Sequence, residues 1–164
     1  MINLIKIDWL YSYSKLSNRG YFFNYYLGLM LLILYSSLLS YMLFFTVCVA
    51  PVSNKILDKN NKSLFLRNIF PRNFIFGLFI ASLAFIFSFI LKDHWSILLS
   101  FIISLGFIIN LFIVMPKINF ISDSNNLTEE KKKKQFKYWH FSSVFIYLIQ
   151  IIISIIGIYL NIWS

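Results

Sequence analysis

His140, Ser143, Tyr147, Gln150, Ser154, Gly157 and Asn161 follow one another at alternating intervals of three and four residues. The mean interval of about 3.5 residues keeps side chains on one face of a supercoiled helix. Hydrocarbon does not welcome a face of hydroxyls and amides, so this face must meet another helix or water. Two uses fit it: a packing seam joined by interhelical hydrogen bonds, or a shallow polar cavity entered near His140. His140 is also the residue best suited to bind a metal or haem iron, or to titrate near neutral pH. One histidine does not make a site, because zinc, copper or nickel wants further nitrogen or sulfur ligands. The soft atoms on offer belong to Met30, Met42, Met115 and Cys48. Met30 and Met42 stand far apart along one helix, whereas Met115 shares an end with His140. The plain alternative is an interfacial, structural histidine. No cofactor is assigned, and His140 stands as the sole metal candidate.

Other chemistry is missing from the sequence. It shows no paired carboxylates in an apolar stretch, no glycine-rich phosphate loop and no Ser-His-Asp arrangement. An enzyme is not expected. The apolar stretches hold no Asp, Glu, Lys or Arg, which counts against an ion-coupled pump and leaves passive permeation open. The lone Cys48 reads as packing.

Four elements must position these residues. The chain has 164 residues, of which 59% are hydrophobic and 13% charged. Its mean hydropathy is +0.75. A soluble fold this short has nowhere to hide so much apolar surface. A spanning helix needs about 20 mostly apolar residues, and the stretches 22–50, 74–91, 95–115 and 140–163 qualify. Helices are expected, since lipid offers the backbone no hydrogen bonds. Only Lys92-Asp93-His94 separates the second and third stretches, which predicts two full spans joined by a tight turn. The domains are then an N-terminal segment over 1–20 and a four-span domain over 21–164. In the former, Ile2, Ile5, Trp9, Tyr13 and Leu16 suit a helix lying in the membrane interface; the alternative is a frayed tail. No cleavable signal peptide is expected, because the first apolar run is too long.

Charge sets the topology. Lys55, Lys59, Lys62, Arg67 and Arg72 fall between the first two spans, and Lys117, Lys131–Lys134 and Lys137 between the last two. The positive-inside rule places loops 51–73 and 116–139 in the cytoplasm and both termini outside. The Lys131–Lys134 run follows Thr128, Glu129 and Glu130, a helix start with acids first and bases later. Its lysines suit anionic lipid headgroups; no nucleic-acid-binding fold accompanies them. Abundant Lys, Asn, Ile and Phe with scarce Gly point to an AT-rich genome, hence to a bacterial inner membrane.

The two halves resemble each other. Pro51, Asn54, Ile56 and Asp58 recur at the same offsets as Pro116, Asn119, Ile121 and Asp123. This predicts two helical hairpins related by an axis along the membrane normal. Each Pro should kink or stop the helix, at Ala50 and at Met115, with the Asn bonding freed carbonyls. Small-residue stripes, Ser96-Ser100-Ser104 and Gly77-Ala81, suit close helix packing.

On these residues the chain resembles a known family. Ala50-Pro51, Leu57-Asp58 and Arg67-Asn68-Ile69-Phe70-Pro71-Arg72, then Met115-Pro116-Lys117-Ile118-Asn119, Phe136 and His140-Phe141-Ser142-Ser143, resemble motifs of transmembrane protein 205-like proteins. Their bacterial relatives are grouped as domain of unknown function 4149. The resemblance covers residues 22–164 and implies four helices. The animal members' link with tolerance of platinum drugs hints at metal or drug handling, and a fainter similarity to copper-resistance D-like proteins points the same way.

The reading is an all-α integral membrane four-helix bundle of two parallel-related hairpins. Its expected role is a non-enzymatic multi-pass membrane protein that packs with itself or with membrane partners. A metal-ion or small-solute binding or permeation protein is the second reading, and a haem- or copper-associated redox protein the third.

Overall fold

The computed structural model describes the backbone of residues 2–124 and 127–163, and the side chains of 22–58, 61–124 and 127–162. The N-terminal stripe from Ile2 to Leu16 therefore lies outside the described side chains. Its backbone is helical and runs without a break into the first span. The elements are α1 (Ile2–Phe44), a π-turn (Phe45–Val49), α2 (Ala50–Ile56), α3 (Lys59–Leu91), α4 (His94–Ile109), a second π-turn (Asn110–Val114), α5 (Met115–Asp123) and α6 (Glu129–Trp163). No strand occurs among the described residues.

Four helical stretches are long and apolar enough to cross a membrane: Phe22–Ile56, Asn61–Leu91, His94–Asp123 and Glu129–Ile162. Only 17–39% of the most apolar window in each is buried. Most of the remaining surface is Phe, Ile and Leu, such as Phe79, Phe101, Phe112 and Ile152, which lipid accepts and water does not. At about 1.5 Å per residue, these helices outreach a hydrocarbon core of about 30 Å. The segments 51–73 and 116–139 are thus mostly helix and not loop: α2, the charged start of α3, α5 and the charged start of α6 continue past the uncharged apolar stretches 22–50, 74–91, 95–115 and 140–163. Pro71 lies inside α3.

The turn between α3 and α4 is tight. Lys92 adopts a left-handed conformation (φ 59°), and its N–H closes on the carbonyls of Phe89 and Ser88. The Asp93 carboxylate then accepts from the Trp95 N–H at 3.1 Å and caps α4. Thr128 precedes α6, and its carbonyl accepts from the Lys132 N–H at 2.9 Å.

Neither proline stops its helix. The chain passes through a π-turn first: Ala50 N–H donates to Phe45 O, and Met115 N–H to Asn110 O. A proline ring clashes with the carbonyl four residues back and offers it no N–H. The wider i→i+5 turn makes room for the ring and lets the helix continue. The exit is completed by Ser53, whose hydroxyl donates to Ala50 O at 2.9 Å. Asn54 and Asn119 make no such bond.

The helices form a ring. α3 packs on α1 and α4, and α6 packs on the same two, so α1 lies diagonal to α4 and α3 diagonal to α6. The hairpins match in register. Leu31, Tyr35, Leu38, Met42 and Phe45 recur, at one constant offset, as Ser96, Ser100, Ile103, Phe107 and Asn110, and all ten are buried. Gly77, Ile80, Ala81 and Ala84 recur in the same way as Gln150, Ile153, Ser154 and Gly157, again all buried. The diagonal helices are therefore the equivalent ones, and the relating axis runs along the bundle.

Candidate functional site

The π-turns and the Pro51 and Pro116 segments lie at the basic end of the bundle. Between the helices there is a cavity of about 590 Å³. It is lined by equivalent residues of both hairpins. Ala50 and Asn54 contribute from α2, and their counterparts Met115 and Asn119 from α5. Ser63, Arg67, Phe70 and Phe74 contribute from α3, and their counterparts Phe136, His140, Ser143 and Tyr147 from α6. The cavity thus lies between the two halves and extends along the α1 and α6 side past Phe45, Thr46, Leu148 and Ile151. Pro51 and Pro116 do not line it; both are exposed.

The floor is aromatic. Phe74, Phe107 and Tyr147 meet with ring centroids 6.3–6.4 Å apart. Tyr41 joins them, 6.4 Å from Phe107. Tyr41 can lie there because Gly77 has no side chain: a Cβ would stand 1.9 Å from its hydroxyl. Asn73 donates to the Tyr147 hydroxyl at 3.4 Å.

Beyond Tyr147 the polar stripe of α6 packs against the other helices. Gln150 lies flat on Gly106 and donates from Nε2 to the Ile103 carbonyl at 2.8 Å. Ser154 donates to Gln150 O within its own helix at 2.8 Å. The Tyr35 hydroxyl crosses the bundle to Ser96 O at 3.0 Å, and its ring covers Gly157. Asn161 donates to the Ser96 hydroxyl at 3.1 Å. Ser100 and Ser104 bond the carbonyls one turn back, at 2.6 and 2.8 Å. The stripe therefore divides: His140, Ser143 and Tyr147 face the cavity, and Gln150, Ser154 and Asn161 belong to a packed seam.

His140 stands at the cavity mouth, stacked on Phe136 at 6.0 Å between centroids. Met115 shares the cavity with it. Cys48 is exposed, Met30 is exposed and Met42 is buried in the core, and none of the three lines the cavity. Among the described residues no three His, Cys, Asp or Glu side chains are grouped so as to hold a metal ion.

A pair that the stripe gave no hint of closes one side of the mouth. Arg67 Nη1 donates to Asp123 Oδ2 at 2.9 Å, and Nη2 donates to Oδ1. This two-pronged contact ties α3 to α5, one hairpin to the other. Both residues lie outside the uncharged apolar stretches 74–91 and 95–115, and the guanidinium holds the Asp123 carboxyl below its usual range.

A family model described as "Domain of unknown function (DUF4149)" matches residues 33–126, more than half of the chain. The chain belongs to the DUF4149 family. The DUF4149 match takes in both π-turns, both proline segments, Arg67 and Asp123, while α6 with His140 lies beyond it. No curated protein and no solved structure matches the chain. The likeness to transmembrane protein 205-like proteins rests on the short motifs alone.

Proposed function

We propose that this DUF4149 protein is a non-enzymatic, membrane-embedded binding protein that takes an amphipathic small molecule into the cavity at its basic end. The blind floor carries this reading. A permeation path needs a continuous polar route, yet toward the middle of the bundle the cavity is lined by Phe74, Tyr147, Leu148 and Ile151, with Phe107 and Tyr41 packed behind the rings, and Gln150 and Ser154 are spent on packing. The volume falls within the range of about 300–1,000 Å³ common to small-molecule sites, and the mix of apolar walls with a few polar groups is theirs too. Packing with partners alone would not call for such a space between the two halves. By the positive-inside rule the basic end belongs on the cytoplasmic side, so the ligand enters from the cytoplasm or its leaflet.

Native mass spectrometry of the full chain, released from neutral-lipid nanodiscs after exposure to a panel of dodecyl-chain amphiphiles, tests this. One saturable adduct per chain is expected, lost when Ala50→Trp and Ser143→Trp fill the cavity. A chain that retains none of the panel, or retains it equally with the cavity filled, contradicts the reading.

A further inference from the structure

Resting on that reading of the cavity, we infer that its ligand is an anion carrying a single apolar chain, with the acidic head held among Lys62, Arg67 and His140. Three observations converge. Among the described residues no Asp or Glu lines the cavity, while these three basic side chains do, from α3 and from α6. The rest of the lining is largely apolar, with Phe45, Phe70, Phe74, Met115, Leu148 and Ile151. The connecting segments at this end add Lys55, Lys117 and Lys131–Lys134 against Asp58, Glu129 and Glu130, a positive balance that favours anions.

The second observation is what Arg67 already holds. Its fork grips the Asp123 carboxylate, a planar anion with the shape of a fatty-acid head and some of the bonding of a phosphate. Asp123 itself stays outside the cavity lining, and its side chain is 60% exposed. It is an internal stand-in that an incoming anion displaces into water at little cost.

The third is access. A shallow depression on the outer face of α6 is lined by Lys134, Lys137, Phe141, Val144 and His140. It shares His140 and Val144 with the cavity. Basic side chains above and apolar ones below are the arrangement of a membrane interface, so an amphiphile already in the leaflet reaches the cavity sideways past His140.

The test uses the full chain in phosphatidylcholine nanodiscs and three probes: dodecyl phosphate, dodecanol and inorganic phosphate. Dodecyl phosphate is expected to bind about tenfold or more tighter than either of the others, a charge-assisted contact being worth roughly that much. Arg67→Gln should remove this preference, and Asp123→Asn, which frees the guanidinium, should tighten dodecyl phosphate alone. Lys92→Gln, at the opposite end of the bundle, should leave the preference intact, separating the cavity from charge elsewhere on the chain. Equal binding of dodecanol overturns the anionic head. Equal binding of inorganic phosphate overturns the apolar chain. A preference that survives Arg67→Gln and ignores Asp123→Asn overturns the placement. Failure of the underlying reading looks different: none of the dodecyl probes binds at all.

Discussion

Arg67 of α3 and His140 of α6 occupy equivalent positions in the two hairpins and line the same cavity. The repeat has thus set two basic side chains at equivalent places, and among the described residues only Arg67 has an acid to hold, Asp123. The asymmetry separates a structural tie on one wall from an open basic group on the other.

The tie should show in acid. A carboxyl whose folded value is depressed stabilises the fold above its unfolded value, about 4, and loses that contribution as pH falls through the folded value. Thermal melts of the wild type should therefore fall more steeply below about pH 4 than those of Asp123→Asn. Parallel slopes would mean that the pair contributes nothing to stability.

The seam between α1 and α6 should resist even a methyl group. At Gly157 a Cβ would stand 2.7 Å from the Tyr35 ring, and that ring is pinned by its hydroxyl to Ser96 O. Gly157→Ala should cost about 1–3 kcal/mol, as overpacking does. Tyr35→Phe, which loses one interhelical bond, should cost only about 0.5–1.5 kcal/mol. Reversible unfolding in mixed micelles reads both. A harmless Gly157→Ala would mean that the helices are not in contact there.

Gln150 presents a different balance. Its Nε2 is bonded, but its Oε1 is buried without a partner. Gln150→Leu removes a modest hydrogen bond and an unsatisfied acceptor together, so stability should change by less than about 1 kcal/mol. Gln150→Glu buries a charge in the same place and should cost several kcal/mol. The same unfolding assay distinguishes the two, and equal effects would place Gln150 in contact with water.

Much of the fold can be read from residue order. Four apolar runs give four spans, and Pro51-x-x-Asn54 against Pro116-x-x-Asn119 gives the relation between the hairpins. The polar stripe from His140 also identifies the face of α6 that meets the other helices. Where the stripe divides is not legible, because Tyr147 and Gln150 differ only in what faces them: an aromatic floor for one, bare Gly106 for the other. Arg67 reads as one of many basic residues in a connecting segment, and nothing local ties it to Asp123. The π-turns escape as well. A proline announces a disturbance, but whether the helix stops, kinks or widens depends on the neighbours that hold both sides of it.

Those wide turns should matter for the site more than for stability. Pro116→Ala removes the reason for the π-turn before it, and a return to α-helix would rotate Asn119 by about 100° away from the cavity. Circular dichroism should keep its helical amplitude while amphiphile binding falls about tenfold or more, a loss of about 1.4 kcal/mol. Unchanged binding would show that the turn is held by packing and not by the proline.

The most direct check on the blind cavity is thiol labelling in a Cys48→Ser background. Single cysteines at Ser143 and Ser154 are offered a charged, water-soluble thiol reagent from each side of sealed vesicles in turn. Ser143→Cys should react from the basic side alone, and Ser154→Cys, buried in the seam two turns beyond Tyr147, from neither. Modification of Ser154→Cys at a rate close to that of Ser143→Cys would contradict the account, for it would mean that water passes the floor and the protein is a path and not a pocket.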